Sequence, residues 1–479
     1  MTTLDDSSDQ MPGATDADAA AEPPTEEVEV GSVPDADAVA EFSAWMRQGQ
    51  EIPSRRVALD PALRRRRRRR GWIITAVVLA LVVGVPGGYT AWALNAPLSD
   101  PVAIAEAPTA AAGPAAALML PAEGASAISV TGGEAYLGPD ASGIWATSGT
   151  DEARPIASIS KLITALVILD AKPLAAEGDP GPTITFDKAA HDLYDRYYVL
   201  GATIVRMPTG TSMSEFDALA TMLIPSASNY AEAVSTWAFG SQSAFLRAAR
   251  VWLDEHGLGN TTLVEPTGIS ARNTSTPSDL LTLGRLAAAD PIVARIAATS
   301  TLYVPSIETT LNNTNDLLGR GGITGLKTGN LGEGTHNLLY TASIDVGIDA
   351  PLSVTGVALG GFSRDSVDAS VLTLLDSIRN GFHRVPVAEG GQIVGSVTTP
   401  WGATADLVIE GDRSLLTWSD TPITVAMETT TPRAYADGEE VGTITWAAGP
   451  NTTSAAIEID GTIEPPSAWW RLTHPGELG

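Results

Sequence analysis

Apolar residues along this chain fall into stretches of different period, and the changes of period mark its parts. Residues 1–60 show little periodicity. They are acidic and rich in Ala, Pro, Ser, Thr and Asp, a composition that buries too little apolar surface to order a chain. Within them Val39, Phe42 and Met46 recur at helical spacing beside Trp45, which reads as a fluctuating helix or a docking peptide. Residues 73–94 are apolar and free of charge, slightly longer than the ~20 residues that span a bilayer. Residues 95–121 are dominated by Ala and Pro with little period, as in a linker. Strand-like runs follow at 127–130 and 143–146, then a continuously apolar run through residue 169 that predicts a buried helix. Residues 183–190 and 199–206 fit strands or short loops. Helical spacing recurs at 216–224, 230–239, 241–256 (closed by Gly257), 278–289, 291–298 and 363–380, and strands are predicted at 322–329, 337–344 and 352–359. From about residue 385, short alternating runs at 404–409, 423–427, 442–446 and 455–459 are punctuated by Gly and Pro.

These textures predict an α/β (α+β) fold. An antiparallel sheet is covered by a helical cluster, with the first and last strands side by side, and a small all-β domain follows. Five parts are expected: an acidic tail (1–70), a transmembrane helix (71–94), a linker (95–121), the α/β domain (122–385) and the β-rich domain (386–479). Seven consecutive arginines at 64–70 precede the apolar stretch, and Trp72, Tyr89 and Trp92 lie near its ends. By the positive-inside rule that flank places the N-terminus in the cytoplasm and the rest of the chain outside a single-pass membrane anchor. A cleaved signal peptide ending at Ala91-Trp92-Ala93 is the alternative. The length of the apolar core and of the segment before it favours an uncleaved anchor.

Composition narrows the chemistry. A net charge of −27 argues against a nucleic-acid partner. With no cysteine there is no thiolate nucleophile, and the five histidines have no metal-ligand spacing, so neither metal nor cofactor is expected. No Gly-x-Ser-x-Gly elbow supports a Ser-His-Asp triad. The chain has only four lysines, Lys161, Lys172, Lys188 and Lys327, among many arginines. Lysine, unlike arginine, loses its proton readily when desolvated, so each invites a question, and Lys172 and Lys188 read as ordinary surface residues.

Two of the four sit in suggestive places. Ser158 and Lys161, three residues apart at the start of the predicted buried helix, share one face and pair a nucleophile with a base. The bland reading is a helix cap beside a solvated lysine. Lys327-Thr328-Gly329 lies on a predicted strand, where Gly admits close approach of a ligand backbone and Lys and Thr suit a carboxylate. Between them, Ser226-Ala227-Ser228-Asn229 forms a hydroxyl- and amide-rich turn joining two predicted helices.

Taken in order, Ser-x-x-Lys, a Ser-x-polar turn and Lys-Thr-Gly resemble the motif set of the D-alanyl-D-alanine carboxypeptidases among the low-molecular-mass penicillin-binding proteins. The likeness runs from about residue 127 to 382. It includes Gly257-Leu258-Gly259-Asn260-Thr261-Thr262 and Asn313-Thr314-Asn315-Asp316-Leu317-Leu318, and the β-rich part resembles that family's second domain. The resemblance implies a β-lactamase/transpeptidase-like sheet and a serine enzyme acting on peptidoglycan stem peptides at the bacterial cell membrane, with β-lactams as inhibitors. It further implies that Ser158 attacks the carbonyl between two D-alanines, Lys161 takes its proton, and Ser226 relays protons to the leaving amine. Lys327, Thr328 and Gly329 bind the substrate, and the N–H groups of Ser158 and Asn330 form the oxyanion hole. One position departs from the family pattern: its second motif is Ser-x-Asn, and here Ser228 stands third with Asn229 one residue late. Ser228 substitutes, or the turn rearranges so that Asn229 serves, or activity is weak. A DD-endopeptidase, a β-lactamase using Glu265, and a non-catalytic wall-binding scaffold are the competing readings.

Overall fold

The computed structural model describes residues 61–176 and 178–479; the expectations for residues 1–60, including the helix around Trp45, lie outside them. Pro61–Asn95 is one helix, α1, with no charge beyond its Arg run, and the window of highest mean hydropathy (2.0) has no buried residue. A helix of this kind is compatible with a membrane anchor. Two compact units are distinguished, one ending at Tyr89 and the other running from Thr90 to Gly479. The sheets and the cleft belong to the second.

At the centre of that unit is a five-stranded antiparallel sheet of β1 (Ala125–Thr131), β2 (Ala146–Ser148), β3 (Ile323–Gly329), β4 (His336–Ile344) and β5 (Leu352–Gly361), in the order β3-β4-β5-β1-β2. The first strand therefore pairs with the last, as the pattern predicts, Val130 opposite Val354. Alternation gives the sheet two apolar faces. Leu326, Leu339 and Val357 point into a large helical core, while Ile128, Leu338, Tyr340 and Val354 point to the opposite face. The helical core is built by α2 (Ser160–Ala171), α3 (Lys188–Val199), α4 (Glu215–Leu223), α5 (Ser228–Phe239), α6 (Gln242–Glu255), α7 (Pro277–Ala289) and α8 (Pro291–Ala298). The other face is covered by α9 (Arg364–Gly381) through Val367, Val371, Leu374 and Ile378.

Two segments differ from the sequence reading. Of the stretches read as strands or short loops, Thr183–Thr185 is a strand, but residues 188–190 and 199 belong to α3, which also takes in the unassigned residues between them. Asp187 caps it by accepting from the Ala190 N–H at 2.9 Å, and only Tyr197 on it is buried, so its apolar period is diluted. Within residues 95–121, Val102–Ala105 is an edge strand on Ile393–Thr398 of the second sheet, and Leu118 and Leu120 pack against the α9 face. That six-stranded sheet, with the pair Phe382–Ala388 and Arg413–Trp418, forms the all-β part around the buried Trp446. It joins α9 through an aromatic cluster in which Phe382 lies 5.5 Å from Tyr136 and 5.0 Å from Trp418. Near the end of α1, Leu98 bridges to Leu478 and the Gly479 N–H donates to the Pro97 carbonyl (2.9 Å). There too, Arg471 Nη1 donates to the Ala96 carbonyl at 2.8 Å.

Candidate active site

Ser158 lies in a 3₁₀ turn, Ala157–Ile159, that leads directly into α2. As second residue of that turn its N–H precedes the first intrahelical bond and is free to face a ligand. The turn is strained: Ala157 has φ 49°, in the left-handed region. Two glycines allow it. A Cβ on Gly268 would lie 1.9 Å from the Ala157 carbonyl oxygen, and one on Gly329 would lie 2.7 Å from that of Ile156. The end of β3 and the loop at 264–273 thus press backbone to backbone on the turn. Asn337 Nδ2 adds a bond to the Pro155 carbonyl (3.0 Å), and the Ile156 N–H donates to that of Asn273 (3.0 Å). Gly268→Ala adds a Cβ at φ +82° and into that carbonyl. It is expected to cost about 1–3 kcal/mol of stability, read as a lowered Tm, and to slow acylation of Ser158.

Lys161 is fully buried. Its Nζ donates to the Thr267 carbonyl at 2.6 Å and to Ser228 Oγ at 3.3 Å, and lies 3.0 Å from Ser158 Oγ. Burial pushes its pKa down to about 7, against the opposing pull of the Glu265 carboxylate. A neutral amine has two hydrogens and one lone pair. With the hydrogens on the Thr267 carbonyl, a pure acceptor, and on Ser228, the lone pair faces the Ser158 hydroxyl. The geometry excludes the solvated-lysine reading and gives Ser158 no side-chain capping bond.

Ser228 and Asn229, the two candidates for the third position of the second motif, point to different neighbours. Ser228, not Asn229, reaches Lys161. The buried Asn229 amide instead clamps the segment before α4: Nδ2 donates to the Val205 carbonyl (2.8 Å) and Oδ1 accepts from the Val205 N–H (3.1 Å). Ser226, at φ 67°, lines the cleft, is 5% exposed, and its hydroxyl has no hydrogen-bond partner. The structure therefore brings Ser226 to the cleft without joining it to Ser158 or Lys161.

On the other wall, Thr328, Gly329 and Asn330 line the cleft with Ser158. Lys327 lies buried beneath them, its Nζ 3.3 Å from Thr314 Oγ1 and 3.2 Å from the Thr328 carbonyl. Burial, with the charges of Lys161 and Arg364, holds its pKa well below the ordinary lysine value. Thr314 Oγ1 is 2.7 Å from Thr328 Oγ1, and Arg364 Nη1 donates to the Thr314 carbonyl (3.2 Å) and to Asp316 Oδ2 (3.0 Å). The Thr314 and Thr328 hydroxyls and the Arg364 guanidinium thus share this wall of the cleft, with Asp368 beside them. Thr314 belongs to the family-like stretch 313–318, whereas Arg364 stands in no motif of the sequence. Its one signal is an arginine in the first turn of a helix, where the macrodipole disfavours a cation. Arg364→Leu is expected to raise KM for carboxylate-ended peptides about 10-fold or more, with a smaller change in kcat, in steady-state hydrolysis.

Glu265 does not face the cleft. Its carboxylate accepts from the N–H groups of Thr267 (2.7 Å), Gly268 (2.8 Å) and Ser270 (3.2 Å) and from Asn273 Nδ2 (3.1 Å). Four donors occupy the group that a β-lactamase-type mechanism would need to activate water.

The family model described as D-alanyl-D-alanine carboxypeptidase matches residues 126–358. The D-alanyl-D-alanine endopeptidase of Escherichia coli (strain K12) is 32% identical over 174 residues, 36% of this chain and 53% of that protein. That of Pseudomonas aeruginosa is 29% identical over 197 residues, 40% of this chain and 60% of that protein. The chain thus spans between half and two thirds of the length of these relatives. Among solved structures, penicillin binding protein 6B from Escherichia coli is 17% identical with a TM-score of 0.48, covering 70% of this chain and 94% of that one. Penicillin binding protein 5 from Haemophilus influenzae is 16% identical with a TM-score of 0.47, covering 72% and 98%.

Proposed function

Since residues 126–358 belong to the D-alanyl-D-alanine carboxypeptidase family, we propose that the chain is a serine DD-carboxypeptidase that removes the terminal D-alanine from peptidoglycan stem peptides. The observation that carries this reading is the 3.0 Å approach of the buried, deprotonatable Lys161 Nζ to Ser158 Oγ. Lys161 takes the hydroxyl proton as Oγ attacks the carbonyl of the penultimate D-alanine. The Ser158 and Asn330 N–H groups receive the oxyanion, an arrangement whose donors are typically worth ~10²–10³ in rate each. The proton passes to the leaving amine, with the unpartnered Ser226 hydroxyl on the path, and D-alanine departs. Water then hydrolyses the acyl-serine. Thr328, Thr314 and Arg364 hold the terminal carboxylate, with Lys327 beneath. β-Lactams, as mimics of the same peptide, acylate Ser158. The arginine flank of α1 favours a cytoplasmic N-terminus and an extracytoplasmic cleft.

A second reading, cleavage of cross-links, is favoured by the names of the relatives from Escherichia coli and Pseudomonas aeruginosa. Purified protein incubated with stem pentapeptide and, separately, with cross-linked muropeptides separates the two. Release of D-alanine from pentapeptide supports the first, cleavage of cross-links alone supports the second, and neither product together with no penicillin adduct sinks both.

A further inference from the structure

The Lys161 amine is aimed by a backbone carbonyl, and that carbonyl has an owner. Thr267 sits in the loop at 264–273, and the loop is wound around one side chain. Glu265 Oε2 accepts from the Thr267 N–H, and Oε1 accepts from Gly268, Ser270 and Asn273. Asn273 closes the ring. Its Oδ1 accepts from the Val264 N–H (2.8 Å), and the two hydrogens of its Nδ2 are shared among Glu265 Oε1, the Glu265 carbonyl (2.9 Å) and Ser160 Oγ (3.0 Å). Ser160 Oγ in turn donates to the carbonyl of the strained Ala157 (2.7 Å), and Thr164 Oγ1 donates to that of Pro266 (2.8 Å). A partly to fully buried network with a partner for every member fixes one geometry. It reaches Lys161 through the Thr267 carbonyl oxygen, 2.6 Å from Nζ.

We propose that Glu265 is a positioning residue for acyl transfer: its carboxylate winds the loop so that the Thr267 carbonyl turns the Lys161 lone pair onto Ser158. The inference rests on Lys161 acting as the base. The charge has a chemical use. A desolvated lysine with no counter-charge holds a proton too weakly to pull one from a serine hydroxyl, and a nearby anion restores basicity while leaving the amine neutral at working pH. Few other groups complicate the balance. Lys161 is faced by the Ser158 and Ser228 hydroxyls, the Thr267 carbonyl, Glu265 and, from β3, Lys327. Glu265 is faced also by the Tyr197 phenol of α3, which burial pushes up to about 12 and so keeps neutral.

The test is the pH dependence of acylation by a labelled penicillin, followed on the full chain by rate of adduct formation. In the wild type the rate rises with pH as Lys161 deprotonates, around pH 7. Glu265→Gln removes the charge and is expected to shift this limb down by about one pH unit, whatever the loss of plateau rate. Asn273→Ala leaves the charge and loosens the loop, and is expected to lower the plateau with the limb in place. Glu265→Asp keeps the charge and should hold the limb, which keeps the test open should the glutamine variant not fold. A Glu265→Gln limb that stays put or moves up, an Asn273→Ala limb shifted as far as that of Glu265→Gln, or a Glu265→Asp limb displaced downward overturns the inference. No adduct on the wild type at any pH instead overturns the reading of the site as an acyl-transfer centre.

Discussion

Ser158→Ala is expected to abolish covalent labelling by a fluorescent penicillin and hydrolysis of D-alanyl peptides, while Tm stays within a degree or two of wild type. The expectation comes from a count of hydroxyls. The cleft is lined by those of Ser158, Thr203, Ser226, Thr314 and Thr328. Among the described residues, two of these hydroxyls meet a buried lysine, Ser158 at 3.0 Å from Lys161 and Thr314 at 3.3 Å from Lys327, and of the two Thr314 is also engaged by Thr328 Oγ1 at 2.7 Å. Ser228 also reaches Lys161 but is 3% exposed and lies outside the cleft lining. Loss of a half-buried hydroxyl leaves Lys161 its other two partners, so the fold has little reason to weaken. Intact-mass spectrometry after incubation reads the outcome directly: an adduct surviving on the variant would move the nucleophile to another hydroxyl of the cleft.

Lys161→Met is expected to cut the acylation rate about 10²–10⁴-fold and, at the same time, to raise stability at mildly acid pH. The two effects share a cause. Folding lowers the pKa of this lysine from 10.5 to about 7. The native state therefore binds the proton more weakly than the unfolded chain, and that destabilisation is present in full below pH 7 and vanishes above about pH 10. It amounts to a few kcal/mol, on the order of 1.4 kcal/mol for each pH unit of displacement. Methionine fills the volume without that cost, offset in part by the Thr267 carbonyl left without its donor. Melting curves should show the variant above wild type at pH 6 and the gap closing toward pH 10. A variant less stable than wild type at pH 6 would mean that Lys161 is not held against its solvation in the native state.

Much of this was legible in the chain because it is local. The antiparallel sheet follows from period-two runs, and the meeting of its first and last strands from their placement at both ends of the helical stretch. Ser158 and Lys161 are brought together by one helical turn, and Thr328 and Gly329 by one strand. The illegible remainder depends on contacts far apart in sequence. The choice between Ser228 and Asn229 turns on which side chain α5 presents to α2 and which to Val205, and spacing alone leaves both open. Arg364 reaches Thr314 across 50 residues. Glu265 is an ordinary loop acid until its four donors are known. Helix α3 escaped for a different reason: the exposed Tyr198 and Val199, at 69% and 83% exposure, blur the period that a single buried Tyr197 would otherwise set.

The alanine- and proline-rich stretch after α1 has a last consequence. A free chain of that length would give a tether with an end-to-end span of roughly 30 Å. Here the slack is taken up. Val102–Ala105 is sewn into the second sheet, and residues 97–99 are tied to 477–479. The path from Ala96 to Ser158 therefore runs through folded structure, as a tool on a post and not on a rope. Any anchor acting at Ala96 would leave the serine no cord to pay out. From that point its reach is set by the dimensions of the folded unit that runs from Thr90 to Gly479.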